Sequence, residues 1–246
     1  MTHTTVPVIF DLDGTLVDPA GGITDGIAAA LIELGLPVPA ESVLEAMIGP
    51  KLSFSLTEVA GVPADQLENA IRIYRAHYKS TGIAQSRLYP GIRSLLEDFV
   101  AAGRPIAVAT QKPEGLAHTV LAHHGIAGLF DSIRGSAADE AAAAGAVPEG
   151  KAGIVAAALS DLAAADPAAA RMAVMVGDRA QDVAGAAANG LDCIGVGWGF
   201  APDGELHEAG AVEIVHNTTA LHATITRLSE RPGTTALNEV HTDGNV

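Results

Sequence analysis

A short apolar segment near the start of the chain runs directly into two closely spaced aspartates. Residues 6–10 (VPVIF) are followed by Asp11 and, two positions later, by Asp13. A short β-branched and apolar run predicts a buried strand, and side chains two positions apart on an extended chain point the same way. Open α/β sheets bind ligands in the crevice at the carboxyl ends of their strands. The sequence therefore predicts an α/β fold with its chemistry at the end of the first strand.

Two carboxylates this close repel each other, so their pairing needs a physical reason. A Mg²⁺ ion would neutralise both, and an acid/base pair would keep a proton on one of them. The alternative is an Asp-rich turn, with Gly14 reversing the chain and Pro19 after Asp18 opening the next segment. The motif alone leaves these interpretations open.

Three further segments place reactive residue types at the end of a predicted strand or the start of a predicted helix. In chain order they are residues 105–110 ending in Thr110, Lys151 after Gly150, and residues 173–177 running into Asp178 with Asp182 four positions later. Together with residues 11–18 (DLDGTLVD), they resemble, in the same order, the four motifs of the haloacid dehalogenase-like hydrolase superfamily. Most members of that superfamily are phosphatases. The resemblance extends over nearly the whole chain.

The resemblance implies a role for each aspartate. Asp11 would be the nucleophile that attacks phosphorus and forms an aspartyl-phosphate, which divides one difficult displacement into two easier ones. Asp13 would protonate the leaving oxygen and then activate water. The Asp11 carboxylate, the Asp13 backbone carbonyl and the Asp178 carboxylate would hold Mg²⁺. Asp182 would not bind the ion directly but would act through water or by holding Lys151.

The resemblance also implies that Thr110 and Lys151 stabilise the charge that develops on the phosphoryl oxygens. Lys112, which follows the second motif, is a candidate substrate-binding residue. Gln111 departs from many relatives, which carry Asn or Ser between the Thr and the Lys. The extra methylene of Gln111 leaves the role of this side chain open.

The segment between the first two motifs interrupts the alternation of strands and helices. Apolar residues at helical spacing predict helices over residues 23–34, 41–48, 52–60 and 65–81, with no convincing strand among residues 21–82. This segment resembles the small helical cap of one branch of the superfamily, which closes over the site and carries substrate recognition. Lys51, in the loop between the second and third helices, is predicted to reach the substrate.

The rest of the chain alternates strands and helices, as in a doubly wound, Rossmann-like parallel sheet. We expect a catalytic core formed by residues 1–18 and 89–230, a helical cap formed by residues 19–88, and a flexible tail over residues 231–246, which are polar and aperiodic. The glycine-rich residues 195–199 are predicted to form a flexible loop at the strand ends.

Composition excludes several classes of function. A net charge of −15 with only 14 Lys and Arg argues against binding of nucleic acid. No apolar run approaches the ~20 residues of a membrane span, and the N-terminus does not resemble an export signal. We therefore expect a cytoplasmic protein, a monomer or homodimer, whose partner is a small phosphorylated metabolite.

Within the superfamily, Asp13 discriminates among the branches. The dehalogenase and phosphonatase branches lack this second acid, whereas phosphatases and phosphomutases keep it. The layout resembles the phosphoglycolate phosphatase and 5′-nucleotidase-like group, so the expected activity is Mg²⁺-dependent hydrolysis of phosphoglycolate, a nucleotide or a sugar phosphate. The alternative is a β-phosphoglucomutase-like phosphosugar mutase, which returns the phosphate to the sugar.

Overall fold

The computed structural model describes residues 5–137 and 150–229. Its strands are β1 Val8–Phe10, β2 Val17–Asp18, β3 Arg87–Leu88, β4 Ile106–Pro113, β5 Ser132–Ser136, β6 Val174–Gly177, β7 Asp192–Val196 and β8 Glu213–Val215. Its α-helices are α1 Gly22–Glu33, α2 Glu41–Ala46, α3 Leu52–Phe54, α4 Leu67–His77, α5 Ile83–Gln85, α6 Ile92–Ala101, α7 Glu114–His123, α8 Lys151–Ala165, α9 Pro167–Ala170, α10 Ala180–Ala187, α11 Glu205–Ala209 and α12 Thr218–Ser229. The predicted tail over residues 231–246 lies outside the described residues.

Six parallel strands form the main sheet, in the order β5-β4-β1-β6-β7-β8. The chain builds outward from β1, first to one side through β4 and β5 and then to the other through β6, β7 and β8. The strand order therefore reverses at β1, and such a reversal point is where α/β sheets bind ligands. This topology confirms the predicted doubly wound α/β fold.

Helices cover both faces of the sheet. Alternate residues of its strands point to opposite faces, so both faces of this parallel sheet carry side chains that are buried under helices. Val8 and Phe10 join a cluster that includes residues of α6, α7 and α12, whereas Ile9 joins a second cluster with α8 and α10. All three side chains of β1 are fully buried. None of the helices in the described parts of the chain combines the length and the apolar character that a membrane crossing requires.

Between β2 and β3, the described elements are helical. Two segments with π-helical hydrogen bonding, Ser55–Val59 and Tyr78–Gly82, extend α3 and α4. The helices predicted over residues 52–60 and 65–81 therefore each change from α-helical to π-helical hydrogen bonding along their length. β2 and β3 pair antiparallel and join this helical insertion to the core. We propose that residues 19–88 form a cap domain on the core of residues 1–18 and 89–230.

The strands predicted at residues 6–10, 105–110 and 173–177 correspond to β1, β4 and β6, with shifted ends. The strand predicted to end at Thr110 continues to Pro113, because its pairing with β5 resumes after an irregularity between Ala109 and Pro113. β8 was not predicted, because it has only three residues and lies at the sheet edge.

Candidate active site

The carboxyl ends of β1, β4 and β6 bring the sequence-predicted residues together. Phe10 pairs in register with Val108 of β4 and Val176 of β6, and the backbone N–H of Asp11 donates to the carbonyl oxygen of Val176 at 2.9 Å. Asp11 and Asp178 therefore follow β1 and β6, and Thr110 lies in the carboxyl-terminal half of the neighbouring strand β4. Their side chains are buried, as are those of Asp13, Lys151 and Asp182.

Lys151 lies between two carboxylates. Its Nζ is 2.7 Å from Asp11 Oδ1 and 2.7 Å from Asp182 Oδ1. Burial lowers the pKa of this ammonium, but the attraction of Asp11 and Asp182 exceeds that effect, and the pKa is raised overall. Burial raises the pKa of Asp182 to about 6, despite the opposing effect of Lys151. Lys151 thus stays protonated and holds Asp11 in one orientation.

Replacing Lys151 with Met should destabilise the metal-free protein by about 3–5 kcal/mol at pH 8, because the loss of one partner leaves buried carboxylates uncompensated. The loss should be smaller at pH 5, where Asp182, with its pKa of about 6, takes up a proton. Urea unfolding in the presence of a chelator measures both values. Arg227→Met, which removes an exposed ion pair with Glu213, is the control and should cost less than about 1 kcal/mol.

Asp13 is paired with Lys112 at a contact that also reaches the helical insertion. Lys112 Nζ lies 2.7 Å from Asp13 Oδ2 and 4.5 Å from the centroid of the Tyr78 ring. Asp13 Oδ1 is buried without a hydrogen-bond partner. Burial raises the pKa of Asp13 and outweighs the opposing effect of Lys112. This carboxyl group is therefore biased towards the protonated form, which a general acid needs.

Asp178 occupies a cradle of glycines and neutral donors. A Cβ at Gly14, where φ is +82°, would lie 2.1 Å from Asp178 Oδ2, and one at Gly199 would lie 2.3 Å from Asp178 Cβ. The Thr15 hydroxyl donates to Oδ1 at 3.3 Å, and the Phe200 N–H donates to Oδ2 at 2.8 Å. At position 14, only glycine permits both the left-handed backbone conformation and this close approach. The position of Asp178 is thus fixed by two loops that are distant in the sequence.

The acidic cluster fits a divalent cation. Carboxylate oxygens of Asp11, Asp178 and Asp182 lie within 4.8 Å of one another. Burial, followed by the charges of Asp182 and Asp11, raises the pKa of Asp178 well above its usual value. Lys151 compensates Asp11 and Asp182, whereas the hydrogen bonds that Asp178 accepts from Thr15 and Phe200 come from uncharged donors. A cation bound by oxygen ligands would relieve this charge.

A cavity of about 550 Å³, including its open mouth, leads from Asp11 and Asp13 into the helical insertion. Asp11, Asp13 and Thr110 line its polar end. The remaining lining residues are mostly apolar: Ile23, Met47, Gly49, Pro50, Leu52, Tyr74, Arg75, Gln111, Lys112, Pro113 and Leu116. The arrangement can hold a phosphoryl group at the sheet edge with its leaving group under the helices.

The two lysines predicted to bind substrate are placed differently. Lys112 lines the cavity, but its ammonium contacts Asp13. Lys51 is half-buried and does not line the cavity, although its neighbours Pro50 and Leu52 do. Contact of either lysine with substrate stays a prediction.

Sequence reasoning missed several residues that build the site. Residues 195–199 were interpreted only as a flexible loop, yet Trp198 Nε1 donates to the Thr15 carbonyl oxygen at 3.1 Å and the next residue but one, Phe200, binds Asp178. Tyr78 is not among the predicted site residues, yet its ring contacts Lys112. The only sequence signal was a glycine-rich loop after a strand.

Comparison with known proteins agrees with these motifs. Residues 8–196 match the family model of haloacid dehalogenase-like hydrolases. The chain is 39% identical over 212 residues to a Mycobacterium tuberculosis protein named tyrosine-protein kinase PtkA, covering 86% of this chain and 69% of that protein. It is 36% identical to a 5′-nucleotidase of Pseudomonas aeruginosa, covering 81% and 86% of the two chains.

Among solved structures, a Clostridium acetobutylicum protein described as a predicted phosphatase superposes with a TM-score of 0.79. The two share 35% identity, and the match covers 91% of this chain and 99% of the other. The match of the family model over most of the chain confirms the resemblance read from the four motifs. The chain belongs to the haloacid dehalogenase-like hydrolase family.

Proposed function

We propose that the protein is a Mg²⁺-dependent phosphatase that hydrolyses a small phosphate monoester through an aspartyl-phosphate at Asp11. The single observation that supports this most strongly is the pairing of two differently held carboxyl groups at the end of β1. Asp11 is oriented by Lys151 at 2.7 Å, whereas burial raises the pKa of Asp13. One group is suited to attack and the other to donate a proton.

In the first step, an Asp11 carboxylate oxygen forms a bond to phosphorus while the bond from phosphorus to the leaving oxygen breaks. Asp13 gives its proton to that leaving oxygen. In the second step, the Asp13 carboxylate takes a proton from water, which attacks phosphorus and releases inorganic phosphate and the Asp11 carboxylate.

Three groups would hold the cation: the carboxylates of Asp11 and Asp178 and the backbone carbonyl of Asp13. When bound, Mg²⁺ supplies charge compensation to the phosphoryl oxygens. Lys151 and the Thr110 hydroxyl would add to this charge stabilisation from the protein side. The predominantly apolar cavity would exclude water from the leaving group.

Transfer of the phosphoryl group to an acceptor other than water is the second candidate. The 39% identity to the relative named tyrosine-protein kinase favours this second candidate. The phosphosugar mutase alternative is one form of such transfer. Hydrolysis and transfer share the attack by Asp11 and differ in what accepts the phosphoryl group from it.

Release of inorganic phosphate tests the proposal. We expect Mg²⁺-dependent release from at least one member of a panel containing phosphoglycolate, nucleoside monophosphates, sugar phosphates and phosphotyrosine, and none in the presence of a chelator. Consumption of substrate without phosphate release would instead indicate transfer. An unchanged rate in chelator would contradict the role of the cation.

A further inference from the structure

Arg179, a buried arginine of the core, reaches across to the helical insertion. It follows Asp178 and is 7% exposed. Its Nη1 donates to the carbonyl oxygen of Ile48 and, at 3.4 Å, to that of Ala46. These carbonyls lie at the end of α2, where backbone acceptors have no partner within the helix. A cation is favourable at this end of a helix, so Arg179 satisfies the terminus of a cap helix from the core side.

Glu205 fixes the direction of the arginine. Glu205 Oε1 lies 2.9 Å from Arg179 Nε, and Oε2 lies 3.4 Å from Nη2. Oε1 also accepts from the backbone N–H of Ala180 at 2.7 Å. Paired contacts between a guanidinium and a carboxylate are geometrically specific. The guanidinium is therefore held with Nη1 directed at the insertion.

The segment that Arg179 contacts forms one wall of the cavity. Met47, Gly49 and Pro50 all line it, and we call residues 46–50 the cap loop. Gly49 has a φ of +101°, and a Cβ there would lie 3.0 Å from Arg179 Cγ. The backbone of the cap loop thus lies directly against the arginine side chain.

The same arginine lies in the short connection between β6 and α10 that carries Asp178. Its backbone N–H donates to Asp182 Oδ2 at 3.0 Å, and Asp178 precedes it in the chain. A displacement of the cap loop would therefore remove contacts made by a residue adjacent to the reacting groups. The geometry links the wall of the cavity to the loop that holds Asp178.

We propose that Arg179 and Glu205 are positioning residues that hold the cap loop against the core and so set the wall against which the leaving group packs. The catalytic part of this inference rests on the proposed phosphatase function, whereas the conformational part does not. Because neither side chain lines the cavity, their effect on specificity acts through the cap loop.

The kinetic test compares two substrates in Arg179→Lys and Glu205→Gln. One is the panel substrate with the largest leaving group among those that are hydrolysed, and the other is acetyl phosphate, which has a small leaving group. We expect the ratio of their kcat/KM values to fall by about 10-fold or more, mainly through a raised KM for the larger substrate, because hydrogen bonds from a charged group are lost. An unchanged ratio would overturn the proposal, since damage at Asp178 would slow both substrates equally.

Hydrogen exchange tests the conformational part without requiring any activity. The amides of Met47 and Ile48, which donate to Leu44 and Glu45, should exchange faster in both variants, while the amides of β6 should not change. Unchanged exchange in the cap loop would overturn the proposal, whatever the outcome of the phosphate assays. An absence of phosphatase activity with faster exchange would instead count against the proposed function alone.

Two further variants separate positioning from general damage. Arg134→Lys alters another two-point pair of an arginine and a carboxylate, which is half-exposed and does not line the cavity. Arg134 Nε and Nη2 lie 2.6 and 2.8 Å from the Asp161 carboxylate, and this variant should leave both readouts unchanged. Gly49→Ala displaces the cap loop without altering a charge and should reproduce the fall in the ratio. If Arg179→Lys is found to be unfolded, Gly49→Ala alone decides the question, and normal exchange with a normal ratio in that variant would overturn the proposal.

Discussion

Replacing Asp11 with Asn is expected to lower kcat by at least about 10⁴-fold, because the loss of a nucleophile removes the covalent route entirely. The amide is nearly the same size as the carboxylate and its oxygen can still accept from Lys151, so the fold should be retained. Steady-state phosphate release measures the loss. Acid-quenched enzyme given labelled substrate should carry the label on the Asp11 peptide in the wild type and not in the variant.

A matched control for this variant is Asp161→Asn. Asp161 is also an aspartate in contact with a cation, Arg134 at 2.6 Å, but it lies away from the cavity and should keep wild-type activity. Substantial turnover by Asp11→Asn, or label on another residue, would show that Asp11 is not the group that attacks phosphorus.

The sequence was sufficient to predict that these reactive residues come together, because the relevant information is local. Each of the segments ending near Asp11, Thr110 and Asp178 is a short apolar strand followed by a reactive residue. Parallel pairing then brings the strand ends to one edge, and this holds in the observed register. Apolar residues at helical spacing likewise predicted the helical character of the insertion.

The contacts between the insertion and the core could not be predicted from sequence patterns. Arg179 and Ile48 are separated by 131 positions, and Lys112 meets the Tyr78 ring from another element. The spacing of apolar residues does not indicate which carbonyl an arginine side chain will contact, because that contact depends on how the helices pack over the sheet. The same reasoning explains Phe200, whose backbone N–H, not its side chain, binds Asp178.

The buried charges at the sheet edge are the clearest case in which function opposes stability. Three carboxylates lie within 4.8 Å of one another, an arrangement that costs stability unless cations compensate it. Lys151 compensates two of them through contacts of 2.7 Å. The proposed Mg²⁺ would be the counter-charge of Asp178. Removal of the Asp178 charge should therefore have opposite effects on activity and on the stability of the metal-free protein.

Replacing Asp178 with Asn should therefore lower activity by about 10³-fold, the effect of losing several kcal/mol of metal-assisted charge stabilisation, yet stabilise the metal-free protein. The folded state raises the pKa of Asp178 well above 3.8. As pH rises from that ordinary value, the unfolded chain loses the proton first, so ionisation of this group progressively destabilises the fold. The advantage of the variant in chelator should thus be small at pH 4 and grow towards pH 8.

Urea unfolding in chelator and with added Mg²⁺ measures both effects. Mg²⁺ should stabilise the wild type by binding the folded state and should have little effect on Asp178→Asn, while Asp65→Asn, an exposed cap residue, should behave as wild type. If Asp178→Asn proved less stable than wild type at pH 8 in chelator, the hydrogen bonds from Thr15 and Phe200 would suffice to hold the charged carboxylate. The acidic cluster would then be a structural feature that needs no cation, and the case for Mg²⁺ at this site would fail.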